Sequence, residues 1–173
     1  MEQALIEKAK KIKLLILDVD GVLTDGKIYY GNYGDELKAF DVKDGMGLAL
    51  MAAAGIETAI ITAKKAKIIR LRAKDMGVKR VYESHSKLKI YTKLLRKFRL
   101  QKENVCFIGD DLLDIPVLKG VGLPATVPQA AREVKAVSSY VTRAGAGSGA
   151  VREVCEFILK SQGKWDEVIK KYI

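Results

Sequence analysis

Short, uninterrupted apolar runs alternate along this chain with longer stretches in which apolar residues recur every three or four positions. The first run, residues 12–19 (IKLLILDV), is branched and ends in acidic residues, as a buried strand does. Further strands are expected at 56–62, 78–82, 105–108, 122–127 and 138–141. Between them, 46–54, 65–76, 87–98, 112–119 and 129–134 carry helical spacing and helix-forming residues. Residues 150–160 predict an amphipathic helix, and GKWDEVIKKYI adds a short final one. AGAGSG, before residue 150, reads as a flexible link. Strand and helix alternating at this pitch predict an α/β, doubly wound, mostly parallel sheet with helices on both faces.

One stretch breaks the alternation. Residues 27–42, KIYYGNYGDELKAFDV, hold two short β-favouring runs around a turn rich in Gly, Asn and Asp. That predicts a hairpin directly after the first strand. No Pro- or Ser-rich linker and no repeat divides the chain, so residues 1–173 are expected to form one domain, with a C-terminal helix and tail over 149–173.

Composition narrows the class. At 173 residues, 49% hydrophobic and 30% charged, the chain can bury a core and is not of the disordered type. No apolar run approaches the roughly 20 residues of a membrane helix. The first thirteen residues lack the apolar centre of a secretory signal. Cys106 and Cys155 sit in apolar runs, as buried free thiols in a reducing compartment would. The expectation is a cytoplasmic protein.

The net charge of +10 is unevenly distributed. Residues 14–62 hold 8 acidic and 3 basic side chains, whereas 63–103 hold 15 basic and 3 acidic. The basic stretch is a nucleic-acid surface, an attractor for an anionic substrate, or a solvated helical face. It offers only Tyr82, Tyr91 and Phe98 for base stacking, so no nucleic-acid partner is expected.

In an open parallel sheet, ligands bind beyond the carboxyl ends of the strands. Asp18 and Asp20 follow the first strand in DVDGVLTDG, and Thr62 follows the second in AIITAK. Lys87 opens a helix near the third, and Gly109, Asp110, Asp111 and Asp114 follow the fourth in FIGDDLLD. Each has a plain reading as a turn, a cap or a surface charge. Together, at successive strand ends, they make a carboxylate cluster with one hydroxyl and one ammonium. Clustered carboxylates repel unless a cation joins them, and hard oxygen ligands favour Mg²⁺. Such a site suits attack of a carboxylate on phosphorus, with a second carboxyl as general acid and base. A receiver domain gathers similar residues, but its phosphoacceptor Asp ends the third strand, where this chain has Tyr82 and Glu83.

DVDGVLTDG, ITAK, Lys87–Leu88 and GDDLLD resemble the four motifs of the haloacid dehalogenase superfamily of phosphotransferases. Within it, DVDGVLTDGKIYYG, DVKDGMG, GDDLLDIPVLKGVGLP, YVTR and GAVREVCEFILKSQGKWDEV are similar to the 3-deoxy-D-manno-octulosonate (KDO) 8-phosphate phosphatase family. The resemblance implies Asp18 as nucleophile and Asp20 as general acid/base. It implies Thr62 and Lys87 on the phosphoryl group. It implies Mg²⁺ held by Asp18, Asp20 and Asp110 together with the Val19 carbonyl oxygen, with Asp111 and Asp114 supporting. Asp20, Lys64, Asp44, Gly45 and Arg143 are the candidates for binding an acidic sugar phosphate, either KDO 8-phosphate or a nine-carbon ulosonate phosphate. The family also implies a homotetramer, no cap domain and a role in lipopolysaccharide biosynthesis. The spacings agree with a capless form. Asp20 to Thr62 leaves room for the hairpin, one helix and one strand, and Thr62 to Lys87 for one helix–strand passage. Two departures from the family pattern are Ala63 after the motif Thr, where Gly is usual, and Ser148 in place of a tail Arg.

Overall fold

The computed structural model describes residues 2–173. Six strands form one parallel sheet in the order β5-β4-β1-β6-β7-β8: β1 (Leu14–Leu17), β4 (Glu57–Thr62), β5 (Val81–Glu83), β6 (Val105–Ile108), β7 (Leu123–Thr126) and β8 (Tyr140–Val141). Most strands are shorter than the apolar runs that predict them, because hydrogen-bonded pairing stops before the side-chain pattern does, whereas β6 matches its run and β5 starts later and ends one residue beyond its own. β1 and β6 are buried at every position, as strands covered on both faces must be.

Alternation along the strands divides the core in two. Leu15, Leu17, Ile60, Cys106 and Ile108 face one helical layer: α1 (Glu2–Lys10), α2 (Val42–Ala53), α3 (Lys67–Asp75), α7 (Ala150–Ser161) and α8 (Trp165–Ile169). Leu14, Ile16, Ala59, Ile61, Val105 and Phe107 face the other: α4 (Lys87–Phe98), α5 (Ile115–Leu118) and α6 (Arg132–Val137). The sheet is entirely parallel rather than mostly so.

Local chemistry fixes the helix ends. Asp41 caps α2 by accepting the Lys43 N–H at 2.7 Å. Helices α2 and α3 both stop at a left-handed glycine, Gly55 and Gly77. The next residue's N–H, from Ile56 or Val78, then bonds back into the helix and turns the chain toward its strand.

Three sequence expectations change. The 112–119 helix divides into a 3₁₀ turn (Leu112–Asp114) and the short α5, because the Asp111 and Asp114 side chains each accept a backbone N–H of the other's segment. Residues 2–10, read only for a signal segment, form an amphipathic helix that lays Leu5 and Ala9 on the core. The glycine-rich link is docked rather than free: Gly147 donates its N–H to the Val22 carbonyl at 3.0 Å.

The hairpin forms as expected. β2 (Tyr29–Tyr30) and β3 (Glu36–Leu37) make a separate two-stranded antiparallel sheet.

Candidate active site

β1 lies between β4 and β6, and the chain leaves it first toward one side and later returns on the other. That switch point opens a crevice beyond the carboxyl ends of the three strands. Its walls carry Asp18, Asp20, Thr62, Lys64, Lys87 and Asp110, with Asp111 and Asp114 beside them. The polar residues expected at four successive strand ends therefore do converge.

Lys87 sits in the first turn of α4, where side chains lean back toward the helix N-terminus and hence toward the sheet edge. Its Nζ lies 2.8 Å from Asp18 Oδ2 and 2.6 Å from Asp114 Oδ1, with all three side chains almost wholly buried. Burial would lower the lysine's pKa, but Asp18 and Asp114 outweigh it and hold the ammonium above its usual range. Asp114 is fully engaged, since its other oxygen accepts the N–H groups of Asp110 (3.0 Å) and Asp111 (3.2 Å). It thus folds the GDDLLD turn around itself and anchors Lys87.

Asp18 and Asp110 carry the strain of the site. Burial pushes the Asp18 carboxyl up to about 7, with Lys87 pulling down and Asp114 pushing up. Burial pushes Asp110 to about 7 as well, reinforced by Asp18, Asp114 and Asp111. Oxygens of Asp18, Asp110 and Asp114 lie within 4.8 Å of one another. Oδ1 of Asp110 is buried and has no hydrogen-bond partner among the described residues. Three carboxylates against one ammonium leave an excess of negative charge and an unsatisfied hard oxygen. A divalent cation such as Mg²⁺ fits both.

Two expected ligands need correction. The Val19 carbonyl is not free for a metal: it accepts the N–H groups of Val22, Leu23 and Thr24 and faces the Thr24 hydroxyl, closing the turn after β1. The carbonyl oxygen of Asp20 accepts no hydrogen bond among the described residues and is the open one. The Asp20 carboxylate stands apart from the acidic trio, because Lys38 holds it.

The structure does not bring Asp44, Gly45 and Arg143 to the crevice. Asp44 is fully buried under α7, where it accepts the Arg152 N–H at 2.8 Å. Gly45 faces Arg72 and Met76. Arg143 is exposed, and its backbone N–H is held by Glu153. Lys64 does line the crevice, paired with Glu36 at 2.6 Å. Thr62 is buried at its floor and accepts the Lys64 N–H at 3.2 Å.

Sequence reasoning missed several supports. Thr24 accepts the N–H groups of Gly21 and Gly26, and Thr126 donates to the Gly109 carbonyl at 2.6 Å. Glu36 and Lys38, in the hairpin, reach the crevice as well. The Thr in DVDGVLT was a visible signal, but the other three pair with partners remote in sequence.

Fold and site together define a class, and comparison bears it out. Residues 48–154 match the family of haloacid dehalogenase-like hydrolases, to which the chain belongs. It is 50% identical over 163 residues to the 3-deoxy-D-manno-octulosonate 8-phosphate phosphatase of Escherichia coli K12, covering 94% of this chain and 87% of that protein. The phosphatase of that name from Moraxella catarrhalis, crystallised with magnesium, phosphate and KDO, is 39% identical. It superposes with a TM-score of 0.97 over 100% of both chains. The Yersinia pestis enzyme structure is 46% identical with a TM-score of 0.92, covering 94% of this chain and 89% of that one. Within the class, the chain is a member of the 3-deoxy-D-manno-octulosonate 8-phosphate phosphatase family.

Proposed function

We propose that the chain is a Mg²⁺-dependent phosphomonoesterase that hydrolyses KDO 8-phosphate to KDO and phosphate through an aspartyl-phosphate. The observation that carries this reading is the similarity, end to end, to the Moraxella catarrhalis enzyme whose structure holds magnesium, phosphate and KDO.

Asp18 and Asp110, with the Asp20 carbonyl, would hold Mg²⁺, which supplies positive charge to the phosphoryl oxygens. A carboxylate oxygen of Asp18 attacks phosphorus, the bond from phosphorus to the sugar oxygen breaks, and Asp20 gives that oxygen its proton. Asp20 then takes a proton from water. The resulting nucleophile attacks the same phosphorus and releases Asp18 with inorganic phosphate. Lys87 and the Thr62 hydroxyl stabilise the charge that develops on the phosphoryl group. Lys64, at the crevice mouth, meets the acidic sugar. The product serves lipopolysaccharide biosynthesis, and two buried free thiols suit a reducing, cytoplasmic compartment. No helix among the described residues is long and apolar enough to cross a membrane.

Phosphate release from KDO 8-phosphate, beside a nine-carbon ulosonate phosphate and simple hexose phosphates, tests the substrate. The proposal expects the highest kcat/KM on KDO 8-phosphate and loss of turnover on chelation. Preference for the nine-carbon compound would reassign the substrate.

The reading includes a homotetramer. A two-stranded hairpin is marginal on its own in water, yet this one displays Tyr30 at 72% exposure, Tyr33 at 99% and Leu37 at 60%. Packing of hairpins from several copies would bury those side chains and wall the capless crevice. Light scattering should give a tetramer that Leu37→Glu dissociates. A fully active monomer would remove this part of the proposal.

A further inference from the structure

Glu36 and Lys38 are two residues apart where β3 ends, so both project from the same face of the hairpin, while Leu37 points outward. That face turns toward the crevice. The Lys38 side chain is wholly inaccessible, and its ammonium pairs with Oδ1 of Asp20 and, at 2.9 Å, with Glu36 Oε1. The other oxygen of Glu36 lies 2.6 Å from Lys64 Nζ. A row of alternating charges, Asp20–Lys38–Glu36–Lys64, thus ties the tip of β1 to the crevice mouth through the hairpin. Oδ2 of Asp20 makes no hydrogen bond among the described residues, and Asp20 is one of the residues that line the crevice.

The geometry points to Lys38 as the positioning residue of Asp20: it grips one carboxyl oxygen and presents the other to the substrate. This rests on Asp20 being the general acid/base. A carboxyl group on a turn between a strand and a glycine has free torsions, and proton transfer needs the reacting oxygen within hydrogen-bond reach of its partner. A buried ammonium fixed by a second carboxylate supplies that restraint. The hairpin therefore completes the catalytic apparatus as well as walling the crevice. Glu36 holds Lys38 against the pull of Asp20 and orients Lys64 at the same time.

Lys38→Met keeps the length of the side chain and removes its charge, and Lys38→Arg keeps the charge. Both, with Asp20→Asn, are assayed at saturating Mg²⁺ on KDO 8-phosphate and on p-nitrophenyl phosphate. The sugar alkoxide needs a proton to leave, and nitrophenolate does not. For Lys38→Met, kcat on KDO 8-phosphate should fall about 10²-fold, within the range that general acid–base catalysis supplies, with KM little changed. On the aryl ester the first step should survive while the water step slows, giving a stoichiometric burst of nitrophenolate. Lys38→Arg should recover most of kcat and lose the burst.

Asp20→Asn should show the same burst; wild-type turnover by that variant would overturn the role of Asp20 itself. A burst in Asp20→Asn without one in Lys38→Met would overturn the role of Lys38 alone. Equal losses on both esters with no burst would reduce Lys38 to a structural residue and overturn the inference. Should Lys38→Met fail to fold by circular dichroism, Lys38→Gln, of similar size and polar, takes its place with the same expectations.

Discussion

Lys87 Nζ sits 2.8 Å from Asp18 Oδ2 and so links α4 to the tip of β1. One ammonium therefore binds the proposed nucleophile and also faces whatever phosphoryl group reaches it. Removing its charge tests both duties. Lys87→Met leaves Asp18 and Asp114 buried as like charges, and loss of one partner from a buried pair costs about 3–5 kcal/mol. Thermal unfolding without metal should report that loss, and added Mg²⁺ should recover part of it by replacing the missing charge.

Asp18→Asn preserves shape and removes the nucleophile. Phosphate release should fall by more than about 10³-fold, equivalent to ~4 kcal/mol of barrier. The melting temperature without metal should not fall, because burial opposes the charged carboxylate more than Lys87 favours it, and a neutral amide removes that cost. Retained turnover would exclude Asp18 as the attacking group.

The metal reading predicts a stability signature besides activity. A ligand at a hundred times its dissociation constant stabilises the folded state by about 2.7 kcal/mol. Mg²⁺ titration of the wild-type chain should raise the unfolding midpoint accordingly. Asp110→Asn, which neutralises the carboxylate carrying the unpartnered oxygen, should flatten that response.

Gly21 adopts φ +81°, and a Cβ there would lie 2.0 Å from Asp110 Oδ2. Gly21→Ala therefore meets both a left-handed backbone, which costs roughly 1–2 kcal/mol, and a collision with a proposed metal ligand. Lowered stability together with weakened Mg²⁺ dependence is the expected result. Weakened stability alone would separate the turn from the metal site.

Asp44 lies outside the crevice and gives a pH response separate from that of Asp18 and Asp110. Burial raises its carboxyl from 3.8 to about 6, opposed by the Arg152 N–H, with Asp41 raising and Arg72 lowering it further. A folded-state value above the unfolded one contributes stability fully present below about pH 4 and lost as pH rises through about 6. Asp44→Asn does not titrate. Its stability relative to wild type should therefore climb by about 3 kcal/mol across that window and level off above it. A difference independent of pH would show that Asp44 is not held protonated.

The carboxylate motifs were legible because chemistry and strand ends coincide in sequence. A four-residue apolar run such as Leu14–Leu17 ends at a known place, and Asp18 follows it directly. Asp114 was legible as a support but not as a hub, since its partner Lys87 lies 27 residues away in the chain. The substrate-side candidates were the least legible. Asp44 and Gly45 stand in a motif, DVKDGMG, yet helical periodicity turns Asp44 onto the α7 side of α2 and Gly45 onto the α3 side.

The sequence by itself determined the alternating layers, the hairpin, the acidic strand tips and the family. Each rests on local pattern, burial period or a contiguous motif. Only the tertiary structure decided which oxygen atoms remain available: the Val19 carbonyl is used up by its own turn, and the Asp110 Oδ1 is left bare. It also decided that Lys38 reaches Asp20. Hydrogen-bond capacity and charge pairing are settled by neighbours in space, and the strand order β5-β4-β1-β6 makes neighbours of residues far apart in the chain.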